Sequence, residues 1–109
     1  MNLVFKQGST VEIYLQRQNP DKTGASLDGY DLLFQIVNRE GAVVATATVG
    51  NGITIRERAK GKYSVKIKLP DSLPIGKYKA DCIYKKGDDC FPSDTLYIEI
   101  VNRIARCPL

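Results

Sequence analysis

Gly61-Lys-Tyr-Ser-Val-Lys-Ile-Lys-Leu-Pro70 decides the fold class. Tyr63, Val65, Ile67 and Leu69 share one parity, and Lys62, Ser64, Lys66 and Lys68 share the other. Successive side chains on a strand point to opposite faces, so this segment has one dry face and one wet face. The pattern recurs along most of the chain. Val11, Ile13 and Leu15 alternate with Glu12, Tyr14 and Gln16 in a strand at 10–17, and Tyr78, Ala80, Cys82 and Tyr84 share one face of 77–86. Leu96, Ile98 and Ile100 close the series at 95–101. Shorter strands are expected at 3–8, 42–49 and 53–56. No window of eleven or more residues carries helical spacing of apolar side chains.

The segment 30–37 differs. Tyr30, Leu32, Phe34 and Ile36 occupy one face, while Leu33 and Val37 make the other face apolar as well. That predicts a central strand, or one whose outer face is covered, by a partner or by a loop of the same chain. Turn formers separate the strands. Asn19-Pro-Asp-Lys-Thr-Gly24 lies in a loop over 18–28, expected to protrude, and 86–94 reads as a polar turn. Pro70 and Pro74 exclude a central strand over 70–76, which reads as a corner where the chain crosses between sheets. Seven or eight short strands with turns every 8–12 residues predict an all-β antiparallel sandwich or small barrel.

The chain has 109 residues. That is one domain, read here as 1–103 with a tail at 104–109, large enough to be stable without metal or disulfide staples. The N-terminus lacks the apolar core of a signal peptide, so the chain as given is expected to start in a cytoplasm. No stretch approaches the length of a membrane span, and no membrane partner is expected. The net charge of +4 is modest. Lys62, Lys66 and Lys68 on one strand and Lys77, Lys79 and Lys85 on another would repel if those strands were neighbours. The corner at 70–76 lets the two rows sit on opposite outer faces, with Glu12, Asp31, Asp81 and Glu99 offsetting them.

Chemistry is sparse. His is absent, which removes Ser–His and Cys–His nucleophile systems. Cys82, Cys90 and Cys107 form no C-x-x-C and are too few for a zinc site, so no metal and no cofactor is expected. Pairing about Gly87-Asp88 sets Cys82 opposite Ser93 rather than Cys90, which disfavours a disulfide there. Asp88, Asp89 and Asp94 lack the spacing of a calcium loop. Tyr63, Tyr78 and Tyr84 are expected inward, which removes most of an aromatic platform for nucleic acid. Tyr14 and Tyr97 are expected outward.

The order of features resembles that of immunoglobulin-like β-sandwich modules in tailed-phage and prophage structural proteins. The residues that carry the likeness are Gln7-Gly8-Ser9-Thr10-Val11-Glu12-Ile13, Leu27-Asp28-Gly29-Tyr30 followed by Leu33-Phe34-Gln35-Ile36, Gly50-Asn51-Gly52-Ile53, Leu73-Pro74-Ile75-Gly76-Lys77-Tyr78-Lys79-Ala80-Asp81, and the closing strand from Asp94 to Val101. Ser93-Asp94 stand where such modules carry a glycine. The resemblance implies a non-enzymatic virion component, a head-fibre, tail or baseplate piece, made in a bacterial cytoplasm. It would work by packing against copies of itself or against other virion proteins. The contact surface expected from the residues is Leu33 and Val37, rimmed by Tyr14 and Tyr97. Two alternatives stand beside it. One is a glycan- or cell-surface-binding module, favoured if 18–28 and 86–94 meet at one end; the other is a nucleic-acid-binding barrel.

Overall fold

A computed structural model describes residues 2–102. It is all-β, with strands β1 (Asn2–Lys6), β2 (Thr10–Gln16), β3 (Asp31–Val37), β4 (Val43–Val49), β5 (Gly52–Glu57), β6 (Lys62–Lys68), β7 (Gly76–Lys86), β8 (Asp89–Pro92) and β9 (Leu96–Val101). One short 3₁₀ turn, Arg58–Lys60, precedes β6, and no α-helix occurs among the described residues. The strands form one mixed sheet in the order β1-β9-β7-β3-β4-β5-β6-β2, with β8 paired to the far end of β7. The sheet curls until it is nearly closed into a barrel. The expected tail at 104–109 and Cys107 lie outside the described residues.

The decisive stretch behaves as its alternation requires. Tyr63, Val65, Ile67 and Leu69 are buried, and Lys62, Lys66 and Lys68 are exposed. Ser64 departs from the pattern: it is buried on the outer side because Arg56 lies over it, donating Nε to Ser64 Oγ at 3.1 Å. The apolar faces of the strands converge on one core, in which Phe34, Ile36, Ile53, Tyr63, Val65 and Ile98 are buried. Strand β3 is central, paired to β4 on one side and β7 on the other.

The sheet is not purely antiparallel, which corrects the sequence expectation. Strand β1 runs parallel to β9, and β4 touches β5 in parallel through only two residue pairs. The cause at the N-terminus is a change of partner across Gln7–Ser9. Gln7 N–H still extends the β9 ladder to Val101 O (2.8 Å), and two residues later Ser9 O already accepts from Leu69 N–H (2.9 Å) at the start of the β6 pairing. The two ends of the strand path are therefore consecutive in the chain but share no ladder.

Two irregular segments also differ from expectation. The loop 18–28 protrudes only at its tip. Ala25 and Leu27 are buried, with Ala25 N–H bonded to Arg17 O and Leu27 N–H to Arg58 O, both at 2.8 Å. The turn expected at 86–94 is instead a hairpin, with β8 folded onto β7. Its register places Tyr84 opposite Phe91 and Ile83 opposite Pro92, and beyond them Cys82 meets Ser93 as expected: Ser93 N–H donates to Cys82 O at 2.7 Å. Cys82 and Cys90 are free thiols, one buried and one exposed.

The lysine rows are separated, because β6 lies between β5 and β2 while β7 lies between β3 and β9 or β8. Carboxylates stand opposite several of them: Glu12 faces Lys66, Asp31 faces Lys85 and Glu99 faces Lys77. Such cross-strand pairs relieve the like-charge repulsion within each row.

Candidate functional site

The outward positions of five strands build the first candidate surface. Register aligns Asn2 of β1, Tyr97 of β9, Lys79 of β7, Val37 of β3 and Val43 of β4 in one row. Two steps along the strands, Asp81, Gln35 and Thr46 form a second row, and Ile83, Leu33 and Thr48 a third. The apolar residues expected on the outer side of β3 thus extend into a strip. Tyr97 is about half exposed, with Lys79 Nζ 5.9 Å from its ring, and Val4 and Val43 are also exposed. Beside the strip, a groove of about 680 Å³ is lined by Val4, Val37, Arg39, Lys77 and Tyr97 among others. Asp81 Oδ1 is buried on this side without a hydrogen-bond partner among the described residues. A buried oxygen left in that state is costly.

Val37 and Tyr97 therefore share a groove, and Leu33 lies on the same face. Tyr14 stands apart on β2, at the other end of the strand path. Its hydroxyl donates to Glu12, which raises the phenol above its ordinary range, and its ring sits 5.0 Å from the Arg56 guanidinium. Tyr63, Tyr78 and Tyr84 are buried, as expected. They offer no stacking platform to a nucleic acid.

A second constellation was not legible as a site from spacing. Residues at the start and end of the 18–28 loop and on the β8 hairpin come together around Arg17 and Tyr30. The Arg17 guanidinium lies 4.2 Å from the Tyr30 ring centre and 5.8 Å from that of Tyr84. It is held by hydrogen bonds to Ser26 O (2.7 Å) and to the Tyr30 hydroxyl (3.2 Å). Lys86 Nζ is 5.3 Å from the same Tyr30 ring, and Phe91 meets that ring edge-on at 6.5 Å. Neither Arg17 nor Lys86 is ion-paired to a carboxylate among the described residues. Arg17 and Phe91 line a hollow of about 370 Å³ together with Gln18, Ser93 and Asp94.

Tyr63 and Tyr84 also border that hollow, with their hydroxyls bonded to each other at 2.7 Å. Burial pushes the Tyr84 phenol up to about 12 and the Cys82 thiol up to about 11, and it drives Tyr63 higher still. All three stay neutral near pH 7, and a buried neutral thiol is a packing residue rather than a nucleophile. The Tyr84 hydroxyl feels Arg17 and Asp94 in opposite senses: the cation lowers its pKa and the carboxylate raises it.

No known family model matches the sequence, and it has no match among curated proteins.

Among the described residues, no group of three Cys, Asp or Glu side chains is placed to hold a metal ion. No helix there is long and apolar enough to cross a membrane.

Proposed function

We propose that this chain is a non-enzymatic structural module of a phage or prophage particle, working through protein–protein contact in an immunoglobulin-like sandwich. The strand path supports the sandwich reading. It is weakest at β4–β5, where only two residue pairs join the strands. Divided there, it gives one layer of β1-β9-β7-β3-β4 and a second of β5-β6-β2. The chain then passes between layers at Gln7–Ser9, at the 18–28 loop, at Gly50–Asn51 and at the 70–76 corner, and the two lysine rows lie on opposite outer faces.

The observation that carries the contact reading is the row Tyr97–Lys79–Val37–Val43. It sets exposed Tyr97 and Val43 and half-buried Val37 on one face, with Lys79 between Tyr97 and Val37 and charges of both signs around them. A non-obligate protein interface is about as apolar as the rest of a protein's surface, and the mixture of Tyr97, Val37 and Val43 with Lys79 and Asp81 fits that composition. A second copy of this chain, or a neighbouring virion protein, would cover it. The virion assignment rests on the feature order described above, with synthesis in the bacterial cytoplasm and assembly into the particle.

Mass spectrometry of purified phage particles, released from cells carrying the gene, tests the assignment. The expected result is this chain in a fixed stoichiometry with the other virion proteins. Particles that lack it would overturn the virion reading.

A further inference from the structure

We propose that the hollow between Arg17, Phe91 and Asp94 is a binding site for a carbohydrate of one or two sugar units. The inference is independent of the virion reading and concerns a different part of the molecule from the β3–β7–β9 face.

Three properties of the hollow select this ligand class. The first is size. At about 370 Å³ it falls within the range of small-ligand sites, roughly 300–1,000 Å³. The second is an aromatic wall. Phe91 is 45% exposed although it is a large apolar side chain, and its edge-on contact with Tyr30 leaves ring surface open to solvent. A sugar ring presents a face of C–H groups that can lie on such a surface, and an aromatic residue supplies rigid contact area at low entropic cost.

The third is the polar complement. Arg17 only donates hydrogen bonds, and ionised Asp94 only accepts them. Gln18, which also lines the hollow, can do both, while Ser93 Oγ accepts from Cys82 N–H and donates to Asp94 O and so keeps only acceptor capacity for a ligand. A hydroxyl group both donates and accepts, so neighbouring sugar hydroxyls can satisfy Arg17 and Asp94 together. A simple anion would bond Arg17 but face Asp94, and a simple cation the reverse; like charges brought together disfavour both. Arg17 is also fixed in advance. Its bonds to Ser26 O and the Tyr30 hydroxyl hold the guanidinium against the ring, so little side-chain freedom remains to be lost on binding.

The site is assembled by tertiary structure. Arg17 follows β2, Phe91 lies on β8, and Asp94 lies between β8 and β9. The register of the β7–β8 hairpin sets where Phe91 stands.

The test is a printed array of neutral and carboxylated oligosaccharides, followed by titration of the isotope-labelled protein with those that bind. Amide chemical shifts should move at Arg17, Gln18, Phe91, Ser93 and Asp94. Phe91→Ala and Asp94→Asn should each weaken binding by about tenfold or more. Both residues are exposed, so near-ultraviolet circular dichroism should show the fold retained. The proposal is overturned if no oligosaccharide binds, if the shifts map to the β3–β7–β9 face, or if both variants bind as the wild type does.

Discussion

Gly61→Ala should destabilise the protein by at least ~3 kcal/mol, enough to unfold a marginal domain. Gly61 ends the 3₁₀ turn with φ +73°, a left-handed conformation that costs an alanine roughly 1 kcal/mol by itself. The larger part is steric. A Cβ on Gly61 would stand 2.2 Å from Ala25 O and 2.7 Å from Arg17 O, both backbone atoms that cannot swing aside. Those carbonyls are fixed, since Arg17 O accepts from Ala25 N–H while Arg17 N–H bonds Gly61 O at 2.9 Å. A Cβ on Gly24 would likewise stand 2.2 Å from Lys60 O, so the 18–28 loop is held by two backbone approaches that only glycine permits. Gly41→Ala is the control, because Gly41 has φ +85° but nothing within 4 Å of its Cβ position. Denaturant unfolding of the two variants separates conformational cost from clash. Equal stabilities would mean that the loop is not docked as described.

Alkali should unfold the protein over a window set by three buried acids. Cys82 is raised from 9.0 to about 11 and Tyr84 from 10.0 to about 12, and Tyr63 is raised beyond both. In each case desolvation by burial is the main cause. The sign follows from proton binding. Above its unfolded pKa each group is deprotonated in the unfolded chain yet still protonated in the fold, so stability falls as pH rises. The stabilisation is whole below about pH 9, where both states hold these protons. Each pH unit in the window costs roughly 1.4 kcal/mol per group, on the order of 5 kcal/mol in all by pH 11. That rivals the whole stability of many domains. Near-ultraviolet circular dichroism should collapse together with the ionisation of Tyr63 and Tyr84, read as tyrosinate absorbance. A native signal retained beyond pH 12 would contradict the burial of this cluster.

The strands were legible where one face is wet and the other dry. Lys62 to Leu69 and Tyr78 to Cys82 alternate between apolar and polar residues because each strand separates core from solvent, with Ser64 covered by Arg56 on the outer side. The central position of β3 was legible for the opposite reason, since Leu33 and Val37 make it apolar on both sides. Strand β8 was not, because all four of its residues are exposed and no alternation exists to read. The parallel placement of β1 was equally hidden. Its residues alternate whichever neighbour they pair with, and the choice of β9 is made by the switch at Gln7–Ser9. The docking of the 18–28 loop had a faint signal in Ala25 and Leu27, two apolar residues among turn formers.

The candidate surfaces divide in the same way. The outer strip could be anticipated at Leu33, Val37 and Tyr97 because each lies on a strand with readable parity. Tyr14 was also placed outward, but parity does not say which strands adjoin, and β2 shares no ladder with β9, β7 or β3. The hollow at Arg17 had no local signature. Its aromatic and charged side chains come from segments more than seventy residues apart in the chain, and only the folded register gathers them.

Sedimentation equilibrium of the purified protein over a wide concentration range tests the central claim in its most direct form, that the β3–β7–β9 face joins copies of this chain. The wild type should associate with rising concentration, and Val37→Glu, which sets a carboxylate in the middle of the strip, should remain a monomer with an unchanged circular dichroism spectrum. A wild type that stays monomeric throughout, or a Val37→Glu variant that associates equally well, would contradict it.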